Sequence, residues 1–566
     1  MSLSGLALGT ERPNIVLIVA DDVGYSDLGA FGGEIATPNL DALAFSGARF
    51  ANFHAASSCA PTRAMLLTGV SSHSAGIGSM RELMPFAHRG EPGYEGVLNA
   101  RVTTVARRLQ DAGYRTAVAG KWHLGDEPRN LPPARGFDDS VIQADSGSDN
   151  FEMRPYLPMK PEAYWYDNGR RLESLPPDFY SSTFFTDRAL QFLRAAEEPD
   201  RPFFLYLAYQ ANHTPLQAPS RFLDRYRGRY LEGWAEVRRA RIDRLRKLGF
   251  LADTAQLAPG PTQAKWDALG KEEQYFEARR MQAYAGMATA MDHEVGRLLD
   301  YLRETGEFED TVFIVLSDNG AVANEPYENP FGARWLRANY HRDVERLGEK
   351  GSWVAAGRHW GRVANTPLAG VKFSAGEGGV RVPLFIAGVP GLRPGAVYSD
   401  FAYVTDLAPT LLALAGVKET GLQAMTGVSL LPFLTGRAAG IHHADHAIGY
   451  EFSGSAALYR GEYKLVRNEP PHGDGAWRLF HLAQDPGETR DLGAEHPELF
   501  QSMRDDYAAW ASEMGVLPMP ENYSLTRQVT LNAALFVFLP RYTPYIAVFL
   551  LAVVLAGIVI RLRRQA

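Results

Sequence analysis

The chain has 566 residues, 46% of them hydrophobic and 22% charged, and a net charge of −7 at pH 7. That length supports more than one domain around a sizeable core, and the mildly acidic balance gives no footprint for nucleic acid, which is not expected as a partner. The single cysteine, Cys59, excludes an intramolecular disulfide and any zinc or iron–sulfur site built from several cysteines.

The opening segment, MSLSGLALGTERPN, has neither a basic stretch nor a long apolar run, so no secretory signal peptide is expected. NIVLIVA then reads as a strand that stops abruptly at Asp21-Asp22, and TPNLDALAFSGARF reads as a helix. In SSCAPTRAMLLTG (residues 57–69), Pro61 suits a first helical turn and Gly69 a C′ position. Cys59 would then open a helix beside Arg63, a location expected to lower a thiol pKa and to attract anions. TTVARRLQDAG continues the helical pattern. RTAVAG is a second strand, ending at Lys121-Trp122-His123, and PFFLYLAYQAN a third, ending before His213. Residues 218–285 are charged and helical in pattern, as in WAEVRRARIDRLRKLG, and read as a solvated helical insertion. After the helical MATAMDHEVGRLLDYLRETG comes a fourth strand, TVFIVL, before Ser317-Asp318-Asn319. Residues 320–370 read as a loop-rich segment carrying Trp335, Trp353, His359 and Trp360, placed to cover a site.

Continuous apolar runs suit strands buried on both faces, and their alternation with helices predicts an α/β fold with a large, mostly parallel or mixed central sheet flanked by helices. Sites in such sheets form beyond the carboxyl ends of the strands, so the four polar clusters should meet along one edge. The expected catalytic domain spans residues 12–400. Beyond it, ALYRGEYKLVRN and WRLFHLAQDP predict a smaller C-terminal subdomain, residues 401–515, with an antiparallel sheet. Residues 522–566 form a membrane-associated tail. Its uncharged YTPYIAVFLLAVVLAGIVI (542–560), followed by RLRR, predicts a single transmembrane helix, and the shorter LNAALFVFLP (531–540) an interfacial segment. The basic end, with Arg561, Arg563 and Arg564, favours a catalytic domain outside the cell. The missing signal peptide favours the cytoplasmic face, which is the side expected here.

Asp21, Asp22, Asp318 and Asn319 offer only oxygen donors, each pair directly after a buried strand. Grouped carboxylates in a confined site need a counter-charge, and hard oxygen ligands point to Ca²⁺ or Mg²⁺ rather than zinc. Cys59 admits two readings from the residues alone: a buried structural thiol or a thiolate nucleophile. An unmodified soft thiolate is a poor neighbour for hard oxygen ligands.

Cys59-Ala60-Pro61-Thr62-Arg63, with Leu67-Thr68-Gly69, matches the sulfatase signature C-x-P-x-R followed by L-T-G. The segment from Pro13 to Ala44, GKWHLG, PLQAP after His213, LSDNGA, EGGVRVP and the C-terminal LYRGEYKLVRN…LFHLAQDPGETRDL also follow in order, so that residues 12–515 resemble bacterial arylsulfatases of the sulfatase family, within the alkaline phosphatase-like superfamily. The resemblance implies hydrolysis of sulfate esters, aryl sulfates among them. It implies oxidation of Cys59 to formylglycine by a formylglycine-generating enzyme or a radical maturase, with Ala60 standing where relatives often carry Thr or Ser. It implies that Asp21, Asp22, Asp318 and Asn319 bind Ca²⁺ together with an oxygen on residue 59. It implies that Arg63 orients the hydrated aldehyde, Asp318 helps to deprotonate it, and Lys121 and Lys372 hold the sulfate. His213 is implied to protonate the leaving oxygen and His123 to take the remaining diol proton. Glu377, Arg381 and Trp122 are expected to be structural. Other readings are a phosphonate monoester or phosphodiester hydrolase of the same superfamily, a cysteine hydrolase, and a non-catalytic anchored binding protein.

Overall fold

The computed structural model describes residues 12–159, 162–195, 198, 201–419 and 423–563. The leader reading and Arg564 lie outside these residues. Asn14–Ala20 lies at the centre of a sheet that has ten strands among the described residues. It pairs in parallel with Thr311–Ser317 on one side and Phe203–Ala208 on the other, and Phe203–Ala208 pairs in parallel with Arg115–Lys121. Leu384–Ala387 runs antiparallel to Thr311–Ser317, and Trp165–Asp167 antiparallel to Asp139–Gln143, so the sheet is mixed around a parallel centre.

The central strand shows why its run is continuously apolar. Val16, Ile18 and Ala20 face one helical layer, Ile15, Leu17 and Val19 the other, and all six are buried. With a residue period of two, burial on both faces requires apolar side chains at every position. Where both layers end, the sequence turns polar. Register then fixes the neighbours: Ala20 lies opposite Ser317, so Asp21 and Asp318 leave adjacent strands side by side. Gly120, at φ 135, allows the close approach of Arg115–Lys121 to its neighbour, because a Cβ there would sit 1.9 Å from the Ala208 carbonyl oxygen.

The charged stretch after residue 218 is only partly solvated. Its helix Trp234–Lys247 buries Arg241, whose guanidinium binds Asp27 Oδ1 at 2.6 Å and Glu34 at 2.7 Å. These partners lie more than 200 residues earlier, which the local pattern of charge cannot display. The boundary expected at residue 285 falls inside a continuous helix, Lys271–Thr305, whose Tyr284 donates to Asp27 Oδ2 (2.6 Å) and to the Asp22 carbonyl (3.1 Å). Arg241→Met leaves two buried carboxylates without their cation and should destabilise the fold by about 3–5 kcal/mol, measured by urea unfolding.

Residues 320–370 also hold more structure than expected, with helices Pro330–Asn339 and Gly357–Ala364. Trp360 packs against Trp234 and Trp266, and His359 lies 4.2 Å from the Trp234 ring, so these aromatics pack rather than cover the site.

A four-stranded antiparallel sheet, Ile448–Phe452, Ser455–Arg460, Tyr463–Arg467 and Arg478–His481, forms the smaller C-terminal unit. Its Lys464 ammonium is buried between Glu377 (2.8 Å) and Glu488 (2.9 Å), tying this sheet to the EGGVRVP segment. The chain then forms Leu525–Ala533, a π-helical turn Ala534–Phe538 and Leu539–Arg563. LNAALFVFLP is therefore part of a continuous helix rather than a separate segment. At its foot the Asn532 amide donates to the carbonyls of Glu82 (2.9 Å) and Met84 (3.1 Å). The helical span has a mean hydropathy of 2.6 in its most apolar window, none of which is buried. At about 1.5 Å per residue, its last 25 residues are long enough to cross a ~30 Å hydrocarbon core.

Candidate active site

Cys59 is the first residue of a buried helix, Cys59–Thr68, which ends where Gly69 adopts φ 72 and donates to the Met65 carbonyl. The approach to this helix is held by Tyr450, whose hydroxyl accepts the Ser57 N–H at 2.9 Å. One turn on, Arg63 reaches below Cys59. Its Nε and Nη2 bind Asp318 Oδ2 at 3.0 and 2.7 Å, and its Nη1 donates to the Lys121 carbonyl at 2.6 Å. Lys121 donates to Asp21 Oδ2 at 2.5 Å, and Lys372 to Asp22 Oδ1 at 2.6 Å. Asn319 donates to the same Asp22 oxygen at 2.6 Å. His213 Nε2 lies 3.9 Å from Asp22 Oδ2, and its Nδ1 sits 2.8 Å from the Thr214 carbonyl. A carbonyl only accepts, so Nδ1 carries a proton and Nε2 faces the site.

Asp22, Cys59, His213 and Lys372 line one end of a cavity of about 440 Å³. Asp21, Arg63, Lys121, Asp318 and Asn319 are fully buried behind them. His123 leaves its strand at φ 57, with its N–H on the Ala144 carbonyl. Asp22 (φ 59) and Phe373 (φ 74), beside Lys372, share this left-handed backbone, which non-glycine residues adopt at a cost of order 1–3 kcal/mol, commonly at working sites.

Three carboxylates face three cations, and their titration follows from position. Burial and the neighbouring Asp318 carboxylate push Asp21 up to about 7. Burial also opposes ionisation of Asp22, but Lys372, His213 and Lys121 outweigh it and hold that group at about 2. Burial, with Lys121 and Lys372 close by, pulls His213 well below the usual histidine range. The Cys59 thiol contradicts the expectation of a lowered pKa. Burial raises it, more than Lys121 and Lys372 lower it, and Arg63 is engaged by Asp318. A ready thiolate, which a cysteine hydrolase needs, is therefore not favoured.

Asp21 Oδ1, Asp22 Oδ2 and Asn319 Oδ1 are buried oxygens with no hydrogen-bond partner. Ligand atoms of Asp21, Cys59 and Asp318 lie within 4.8 Å of one another, as do those of Asp21, Asp22 and His213. Orphaned hard oxygens around one point fit a hard divalent cation. The thiol is the poor donor in the set, and an oxygen at its place would complete it. Two features escaped the sequence reading: Tyr156, whose ring lies 5.1 Å from His213, and the foot of the C-terminal helix, whose Leu525, Thr526, Val529 and Thr530 line the same cavity. Neither carries a local signal, because each contact joins segments far apart in the chain.

The sulfatase family model matches residues 13–417. An uncharacterised sulfatase of Schizosaccharomyces pombe is 35% identical over 534 residues, covering 91% of this chain and 96% of that protein. An arylsulfatase of Klebsiella aerogenes is 39% identical over 431 residues, covering 74% and 91% respectively. Among solved structures, that of Ps i-CgsB superposes with a TM-score of 0.65 at 26% identity, covering 93% of this chain and 99% of that chain. The motif order, the fold and these similarities agree: the chain belongs to the sulfatase family and is a sulfuric ester hydrolase.

Proposed function

We propose that the protein is a formylglycine- and Ca²⁺-dependent sulfatase that accepts aryl sulfates and is held to a membrane by its C-terminal helix. The observation that carries this reading is the pair of buried triads that share Asp21, one with Cys59 and Asp318 and one with Asp22 and His213, with the unpartnered Asn319 Oδ1 beside Asp22. Oxidation of Cys59 to an aldehyde supplies, on hydration, a hydroxyl nucleophile and an oxygen donor in place of sulfur. Asp21, Asp22, Asp318 and Asn319 would hold a Ca²⁺ ion, which would supply Lewis-acid charge to the reaction.

The remaining chemistry belongs to the side chains. Lys121 and Lys372 bind the sulfate and the charge that develops on it. Asp318, fixed by Arg63, accepts a proton from residue 59, and Arg63 acts through that carboxylate. His213 presents Nε2 to the leaving oxygen. Burial and the two lysines hold the imidazole neutral, and bound sulfate offsets the lysines, so that the ring can deliver a proton there. His123 serves as the base for the return of the aldehyde. Cys59 is 1% exposed, so a formylglycine-generating enzyme or radical maturase must act on it before the chain folds.

Mass spectrometry of the peptide containing residue 59, from protein made with its native maturation system, should find the aldehyde, and unmodified cysteine would overturn the mechanism. The matured protein should hydrolyse 4-nitrophenyl sulfate faster than a phosphonate monoester or a phosphodiester. Removing Ca²⁺ with a chelator should abolish that activity, and Ca²⁺ should restore it better than Mg²⁺. Protease protection on spheroplasts should place the domain on the cytoplasmic face.

A further inference from the structure

The cavity that ends on Cys59 is walled on its far side by Leu525, Thr526, Val529 and Thr530. Their spacing puts them on one helical face, and the helix they belong to is the one that runs on into the exposed apolar span. Val529 and Phe536 are seven residues apart, so about 10 Å of rise separates the cavity wall from the point where the helix leaves the body. At that point Phe86 packs on Phe536 with ring centres 5.4 Å apart, and the Arg89 guanidinium lies 3.9 Å above Phe536. Phe86, Leu531, Phe536 and Leu539 are each 41–52% exposed. The loop that carries Phe86 outside carries Leu83 inside, on the cavity wall. One helix and one loop thus reach both the cavity wall and the rim where a bilayer would begin. Arginines at such a rim suit lipid headgroups.

From this continuity we infer that the substrate is an amphiphile resident in the membrane, with a sulfate ester as its head and a hydrocarbon tail that lies along the helix foot. The inference rests on the anchored-sulfatase reading and adds the substrate class. Leu83, Leu157, Phe373, Leu525 and Val529 give the cavity an apolar wall, on which a hydrocarbon tail gains by each methylene it buries. The polar rim at Asn324, Asn329 and His472 leaves the sulfate a route to water. The balance is R–O–SO₃⁻ + H₂O → R–OH + HSO₄⁻. The bond between sulfur and the ester oxygen breaks, the alcohol keeps that oxygen and gains a proton, and the bisulfate releases its own proton to water. The alcohol stays in the leaflet.

The test uses the matured full chain in phosphatidylcholine vesicles, with hexadecyl sulfate, ethyl sulfate and 4-nitrophenyl sulfate as probes. The kcat/KM for hexadecyl sulfate should exceed that for ethyl sulfate by about 100-fold or more. Val529→Trp, and separately Thr530→Trp at an exposed position that tolerates a large side chain, should cut this ratio by about tenfold or more. Turnover of 4-nitrophenyl sulfate with equal values for the two alkyl esters would overturn the inference and leave the sulfatase reading intact. A ratio unchanged in both variants would also overturn it, because partition into the vesicle alone would then explain the preference. No turnover of any ester, with the aldehyde confirmed, would refute the underlying reading.

Discussion

Cys59→Ser is expected to lower kcat for 4-nitrophenyl sulfate by on the order of 10⁴-fold or more, the scale on which loss of a nucleophile from an interdependent catalytic unit is felt. The substitution is nearly isosteric in a fully buried position and leaves Arg63, Lys121 and Lys372 in place, so the fold should survive, which thermal unfolding monitors. A serine that stays a serine offers one hydroxyl where a hydrated aldehyde offers two, and mass spectrometry of residue 59 in the variant checks that it has. Activity within tenfold of the wild type would mean that the chemistry needs no aldehyde at residue 59.

The second large effect separates two roles for His213. With Nδ1 on the Thr214 carbonyl, the ring can present only Nε2 to a substrate. If that nitrogen protonates the leaving oxygen, the benefit depends on how badly the oxygen needs a proton. His213→Gln should therefore cost about 10²–10⁴-fold in kcat for an alkyl sulfate. For 4-nitrophenyl sulfate, whose phenolate departs readily, the loss should stay below about tenfold. Equal losses for both esters would make His213 a binding residue instead. The discriminating readout is the slope of log kcat against leaving-group pKa, which should steepen in the variant.

The catalytic edge was legible in the sequence because the requirement behind it is local. A strand buried on both faces must be apolar throughout, so the step from NIVLIVA to Asp21-Asp22, or from TVFIVL to Ser317-Asp318-Asn319, marks where the sheet ends. Parallel register then brings those ends together. The parts that were not legible depend on partners distant in the chain. Arg241 reads as one more charge on a basic helix until Asp27 and Glu34 close around it. The Cys59 thiol reads as activated until the depth of its burial is known. Helices Pro330–Asn339 and Gly357–Ala364 are short and bounded by Gly and Pro, so their periodicity is too brief to stand out. The foot of the C-terminal helix reads as the start of a tail, and that it lines the same cavity as Cys59 and His213 requires the fold.

The solitary, buried thiol also provides an internal count of how much of a preparation is competent. Each chain that undergoes conversion loses its only sulfhydryl, so thiol titration after denaturation reports the immature fraction with no background from other cysteines. The same reagent applied to folded protein should react slowly, since residue 59 is shielded and its thiol held protonated. Turnover numbers can then be referred to converted chains alone, so that incomplete conversion is not mistaken for a slow enzyme.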